Sequence, residues 1–183
     1  IQKAIDTVQP GGQVRVLPGN YDETAINRDV LGVGSYQFGL FFEETAKDGV
    51  SLLGVTAADV VITNPNATAA FITTNATNNF GNSGIFVEAD DVTIAGVEIG
   101  PNTPGENKTI EVIGDNFTLK DSMMTGDGID GAYPYINDWR YNDTTDTAYV
   151  ERYTITNNIF GSGSQIAISS GAGGSGPASG RQI

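Results

Sequence analysis

Five aspartates crowd one stretch of the chain: Asp127, Asp130, Asp138, Asp143 and Asp146. The first two sit inside Gly126-Asp127-Gly128-Ile129-Asp130-Gly131. Hard cations take several oxygen ligands, and glycine lets a backbone wrap closely around them. The stretch is therefore a candidate Ca2+ site through Asp127, Asp130 and Asp138, with solvated turn aspartates as the competing reading. It is not an EF-hand, because the Asp-x-Asp-x-Asp-Gly core and the closing Glu are missing. Tyr133, Tyr135, Trp139 and Tyr141 lie on the same stretch. Tyr135 and Trp139 could form a wall for a sugar, whose apolar face stacks on aromatic rings. Alternatively, Trp139 simply anchors the loop in an apolar seam.

The basic residues that could act beside such a site are few. Cleavage of an acidic polysaccharide by β-elimination needs its carboxylate neutralised and a base near the C5 proton. Ca2+ would supply the first, and Lys120, Arg140 or Arg152 the second; each of the three is otherwise an ordinary surface charge. Hydrolysis would instead use two carboxylates flanking the bond, for which Asp127 and Asp130 are available. His and Cys are both absent. A Ser-His-Asp triad within this chain is thereby excluded, as is thiolate chemistry. Lys and Arg number 9 against 22 Asp and Glu, a net charge of −13. Without a basic stripe, nucleic acid is excluded as a partner. No apolar run is long enough to cross a bilayer as a helix. Five Asn-x-Thr sequons begin at Asn66, Asn75, Asn107, Asn116 and Asn142, and in a chain this rich in Asn and Thr most arise by chance.

The elements that must position these residues show themselves as a repeat. Ile85-Phe86-Val87-Glu88-Ala89-Asp90-Asp91-Val92-Thr93-Ile94 is followed by Ile110-Glu111-Val112-Ile113-Gly114-Asp115-Asn116-Phe117-Thr118-Leu119 at a constant offset of 25. A third copy, Tyr153-Thr154-Ile155, stands 36 beyond Phe117, and a fainter one lies at Val50-Ser51-Leu52-Leu53. Period-two alternation marks strands at 85–88, 92–94 and 97–99, separated by turn residues. Three short strands in about 25 residues predict an all-β solenoid: a right-handed parallel β-helix whose coils bury their apolar faces only by stacking. A sandwich of hairpins is the competing reading, but it leaves the constant register unexplained. The stack predicts Val92, Ile94, Phe117, Leu119, Tyr153 and Ile155 inward, with Thr93, Thr118 and Thr154 outward.

In chain order, Ile1, Ala4, Ile5 and Val8 space out as a short capping helix over 1–9, ended by Pro10-Gly11-Gly12. A strand follows at 13–17, and Pro18-Gly19-Asn20-Tyr21 reads as a turn. Residues 22–49 read as a wide irregular loop returning to a strand near 40–43. Strands are expected at 50–55 and 60–63. Residues 64–83 read as a surface excursion in which Phe71-Ile72 could be a strand. Residues 126–147 read as a loop inserted between coils, with strands resuming at 148–151, 153–155 and 159–160 and a further coil beginning at 165–169. The whole is one domain, 1–183, with a Gly/Ser-rich tail at 171–183, and the missing cap on the last coil suggests a longer solenoid.

This register also generates a candidate groove. With Val87, Val112 and Val150 inward, Phe86, Glu111 and Tyr149 form one outward column and Glu88, Ile113 and Glu151 the next. Rings flanking a carboxylate suit a sugar-binding groove, and plain packing between coils is the alternative.

The opening Ile1-Gln2-Lys3-Ala4-Ile5-Asp6, the run Gly11-Gly12-Gln13-Val14-Arg15-Val16-Leu17-Pro18-Gly19-Asn20-Tyr21, the repeated apolar-Thr-Ile/Leu unit and Ile155-Thr156-Asn157-Asn158-Ile159-Phe160 resemble the pectate-lyase-like superfamily of right-handed parallel β-helices. The last segment looks like coils whose inward-turn asparagines stack as a ladder. The resemblance implies a secreted or cell-surface protein that binds or cleaves an acidic polysaccharide, in the manner of a polysaccharide lyase. The superfamily also includes non-catalytic surface proteins, so an adhesive or filament-forming module, self-associating through its ends, is the alternative. Of the superfamily's hydrolase motifs only Asp90-Asp91 is present, in a turn. Fold alone does not choose between these functions.

Overall fold

The computed structural model describes residues 1–30, 34–76, 83–102, 108–125, 135–138, 153–161 and 167–170. One short helix, α1 (Gln2–Thr7), precedes an all-β body. Its strands are β1 (Gln13–Val16), β2 (Gly19–Glu23), β3 (Ile26–Val30), β4 (Gly34–Phe42), β5 (Ser51–Gly54), β6 (Ala70–Thr74), β7 (Ser83–Val87), β8 (Thr93–Ala95), β9 (Glu98–Asn102), β10 (Lys108–Val112), β11 (Thr118–Lys120), β12 (Met123–Met124), β13 (Tyr135–Asp138), β14 (Thr154–Thr156), β15 (Ile159–Phe160) and β16 (Ala167–Ser170). They form three sheets. Sheet A has the order β1-β5-β8-β11-β14, sheet B β15-β12-β9-β6-β2, and sheet C β16-β13-β10-β7-β4-β3. From β5 onward successive strands fall on A, B and C in strict rotation. All neighbours are parallel except β3 and β4, an antiparallel pair at the edge of sheet C.

The expected register is present. Val87 pairs with Val112, Ile94 with Leu119, Ile99 with Met124, and Leu119 with Ile155. Val92, Ile94, Phe117 and Leu119 are fully buried in one core, with Tyr153 and Ile155 half-buried against it. Phe117 and Tyr153 meet edge-to-face, centroids 6.4 Å apart. Thr93, Thr118 and Thr154 stand on the outer face of sheet A, as the alternation requires.

The corners stack as well as the strands. Gly11, Gly49, Asp91 and Asn116 all take left-handed φ values between 57° and 72°. Only Gly, Asn and Asp visit that region readily. Each of the first three donates its N–H to the next corner, at Asp48, Asp90 and Asp115. Side chains reinforce the stack in the other direction: Asp48 accepts from the Asp90 N–H (3.0 Å) and Asp90 from the Asp115 N–H (2.7 Å). At another corner the Ser122 Oγ accepts from Val97, and Asn158 Oδ1 accepts from the Ser122 N–H at 2.9 Å. The asparagine ladder expected from Asn157-Asn158 is thus a mixed Ser122–Asn158 pair among the described residues.

The helix packs against the core. Ile5 is fully buried, and Ile1 and Val8 pack half-buried on the core. Ala4, counted on the apolar face, is exposed, and Gln2 is buried in its stead. The Gln2 amide explains the exchange. Its Oε1 accepts the Phe41 N–H (2.7 Å) and its Nε2 donates to the Phe41 carbonyl (3.2 Å). It occupies a stretch of β4 edge that β3, paired only from Gly34 to Phe38, leaves open, so two backbone groups are satisfied. Lys47 donates to the carbonyls of Asp6 (3.0 Å) and Val8 (2.9 Å) at the end of the helix.

Several expectations are corrected. Residues 19–23 form β2, not a turn, paired with β6 from Gly19 to Glu23. Residues 22–49 contain the β3–β4 hairpin instead of a wide irregular loop. Residues 60–63 are not a strand: Val60 is exposed, and only a single antiparallel bridge joins Val55 to Val61. There the chain folds back on itself, with Thr56 Oγ1 accepting from Val60 and Asp59 at φ 62°. Residues 126–147 are not wholly an insertion, since β13 lies within them in the register of sheet C. The strand expected at 148–151 and the tail at 171–183 lie outside the described residues.

Candidate functional site

The candidate groove on sheet C is half right in register and wrong in exposure. Phe86 pairs with Glu111 as expected. The next position in the column is Asn137, not Tyr149, because β13 is the strand that pairs with β10. Likewise Asp138 pairs with Val112, where Val150 was expected. Phe86 is 1% exposed and Glu111 has no exposed surface. Phe86 belongs to an aromatic cluster with Phe38 (centroids 4.5 Å apart) and Phe41 (5.9 Å), and Phe38 stacks on Phe41 at 5.3 Å. Val30 completes this second core, with Tyr36 and Ile113 packed against it. The Arg28 guanidinium lies 6.0 Å from the Phe41 ring centroid and bonds Asp6 at 2.8 Å. Glu88 is also buried and accepts from the Glu44 N–H at 3.3 Å. A sugar cannot reach Phe86 or Glu111 while this cluster is closed.

Of the three candidate bases, only Lys120 lies among the described residues, and it is not beside that pair. Lys120 is exposed at the end of β11, between Ala95 and Thr156 on sheet A, whereas Glu111 is on sheet C. Arg140, Arg152, Trp139, Tyr149, Asp127 and Asp130 lie outside the described residues. Tyr135 and Asp138 bound β13 and pair with Ala167 and Ser170, so both hold positions in a sheet, not in a loop. Among the described residues no group of three or more acidic side chains is arranged to hold a metal ion.

Sheet B presents a more open face, which sequence reasoning passed over. Across its five strands Asn20, Phe71, Glu98, Met123 and Ile159 are successive partners. Asn20 is exposed, and Phe71, Glu98, Met123 and Ile159 are each half-buried. Beneath the ring of Phe71 lies Gly100, where a Cβ would come within 2.7 Å of two ring carbons. The ring therefore lies across β9. In the neighbouring positions Thr73 Oγ1 donates to Asp22 Oδ1 at 2.5 Å, and Thr125 Oγ1 donates to Glu98 Oε1 at 3.3 Å. The signal for this row was the alternation Phe71-Ile72-Thr73 and Glu98-Ile99-Gly100, in which the isoleucines go inward and their neighbours outward.

A recess of about 210 Å³ opens near the helix, lined by Ile1, Ala4, Val14, Val16, Leu17 and Tyr21 together with Arg15. Arg15 is tied to Asp59 at 2.7 Å, and Leu17 is exposed. Among the described residues no helix is long and apolar enough to cross a membrane. Comparison with protein-family models, with curated proteins and with solved structures found no match.

Proposed function

We propose that the chain is a right-handed parallel β-helix of the pectate-lyase-like kind that serves as a binding module of a secreted or cell-surface protein, not as a lyase. The winding is supported by the rotation of strands through three parallel sheets and by the stacked corners. The functional half rests on one observation: the expected aromatic–carboxylate pair that is in register, Phe86 with Glu111, is closed to solvent, Phe86 within a second core and Glu111 with no exposed surface, and Lys120 stands on a different sheet. β-Elimination needs the base, the neutralised carboxylate and the sugar at one point. These residues do not provide that point.

The test is incubation with pectate, alginate and related polymers, with and without millimolar Ca2+, followed by absorbance in the unsaturated-uronate band. The expected result is no absorbance above that of the polymer alone. A Ca2+-dependent rise would overturn the binding-module reading and restore a lyase, and its loss in Lys120→Ala would identify Lys120 as the base.

A further inference from the structure

We infer that the outer face of sheet B binds an amine-bearing polysaccharide, a polymer of glucosamine type, along the row Asn20–Phe71–Glu98–Met123–Ile159. The inference rests on the binding-module reading above and gives that module its ligand class.

The face has the parts such a ligand needs. Phe71 is half-buried and lies across Gly100, offering an apolar platform for the face of a sugar ring. Met123 and Ile159 extend the same row by two strands. Neighbouring strands stand about 4.8 Å apart, so a polymer laid across them meets a new side chain at each step. Asp22 and Glu98 supply acceptors, and among the described residues each is held by a single threonine hydroxyl. Each of those hydroxyls engages one carboxylate oxygen, and among the described residues no bond is made to the other.

Charge selects among the sugars. None of the five strands of sheet B contains a Lys or Arg. The chain carries a net charge of −13. A polyuronate would approach like charge with no cation in those five strands to receive it. A protonated amino sugar meets opposite charge on a partly desolvated surface, where ion pairing is stronger than in bulk water. Binding should accordingly weaken with added salt.

The experiment is titration calorimetry of the full chain with glucosamine oligomers, with N-acetylated oligomers and polygalacturonate in parallel and product formation monitored in each cell. Expected is binding of the glucosamine oligomers, weaker binding of the N-acetylated ones, and none of polygalacturonate. Phe71→Ala should lower affinity about tenfold or more, and Glu98→Gln should remove much of the salt dependence. If Phe71→Ala does not fold, Phe71→Leu keeps the bulk without the flat ring and should still weaken binding. Absence of binding at millimolar glucosamine oligomer overturns the proposal. So does binding that Phe71→Leu and Glu98→Gln leave unchanged, or equal affinity for the N-acetylated oligomers. Cleavage of a bound polymer would instead overturn the module reading while leaving the site in place.

Discussion

Two aromatic–carboxylate pairs face each other across parallel strands in this molecule. On sheet C, Phe86 is opposite Glu111; on sheet B, Phe71 is opposite Glu98. The pairing is the same, but the surroundings differ. Beside Phe86 stands Phe41 of β4, with Phe38 stacked next to it and the β3–β4 hairpin supplying Val30. Beside Phe71 stands Asn20 of β2, and beyond Glu98 comes Met123. The first pair has become the edge of a second core, while the second has stayed at the surface. An outward position in a sheet is thus only a position. Whether it becomes packing or a site depends on what the neighbouring strands place beside it.

The largest expected effect separates the pairs by stability. Phe86→Ala removes a fully buried ring from contact with two others and should cost about 3–5 kcal/mol. Phe71→Ala removes a half-buried ring and should cost less, about 1–2 kcal/mol. Urea unfolding of the two variants measures the difference. Equal losses would mean that the two faces are covered alike, and the contrast between them would disappear.

The sequence disclosed this molecule unevenly, for physical reasons. Where apolar residues alternate and the offset stays at 25, register could be read to the residue, as Ile94–Leu119 and Ile99–Met124 show. The failure on sheet C has one cause. The offset from β11 to β14 is 36, but from β10 to β13 it is 26, since Val112 pairs with Asp138. The difference, 36 − 26 = 10 residues, therefore falls between β13 and β14, not ahead of β13. Tyr135-Ile136-Asn137-Asp138 has little apolar alternation, whereas the run at 148–151 has more, so pattern alone preferred the wrong strand. β2 was missed for a related reason. Gly19-Asn20-Tyr21-Asp22-Glu23 is polar, and it is a strand because β6 pairs with it along its whole length; tertiary pairing outweighs weak propensity. The closure of Phe86 was hidden because Phe38 and Phe41 sit on one outer face although their spacing is odd. The Cβ direction at Gly39 points at Thr74 while Leu40 is in the inner core, so the alternation slips between those two residues. The half-buried row on sheet B, by contrast, is legible in its alternation, and Phe71-Ile72, expected as no more than a possible strand, lies in β6 and pairs with β9.

Glycine substitutions sharpen the contrast at a smaller scale. In Gly39→Ala the new methyl on β4 would lie 2.4 Å from Thr74 Cγ2 and 2.9 Å from the Gly84 carbonyl. Neither partner is free to move, because Thr74 is buried in β6 and Gly84 is backbone of β7. A cost of about 1–3 kcal/mol is expected. In Gly100→Ala the methyl would meet the Phe71 ring tip at 2.7 Å and Thr73 Cγ2 at 2.9 Å. The ring can swing toward solvent, so the cost should be smaller, about 1 kcal/mol. The price of that swing is the platform, and glucosamine-oligomer affinity should fall with Gly100→Ala although melting drops by only about 2–4 °C. A larger stability loss for Gly100→Ala than for Gly39→Ala would show that sheet B is the more tightly packed face.

The smallest effect concerns the hydroxyls that hold the acids of sheet B. Thr125→Val keeps shape and β-branching but deletes the donor to Glu98 Oε1, a 3.3 Å bond at a half-exposed position. Water can replace that donor, so the stability change should stay within about 0.5 kcal/mol. What changes is the freedom of the carboxylate, which then samples more rotamers before a ligand amine can meet it. Ordering a long side chain on binding costs roughly 0.5–1.5 kcal/mol. The affinity for glucosamine oligomers should therefore drop about two- to fivefold by calorimetry, the upper part of that cost being unreachable because one hydroxyl bond only partly restrains Glu98. An unchanged affinity in Thr125→Val, alongside a large loss in Glu98→Gln, would mean that the charge of Glu98 matters and its orientation by Thr125 does not. A loss of stability well above 1 kcal/mol would mean that Glu98 is held as firmly as the buried acids of sheet C, and the two pairs would then differ in exposure without differing in rigidity.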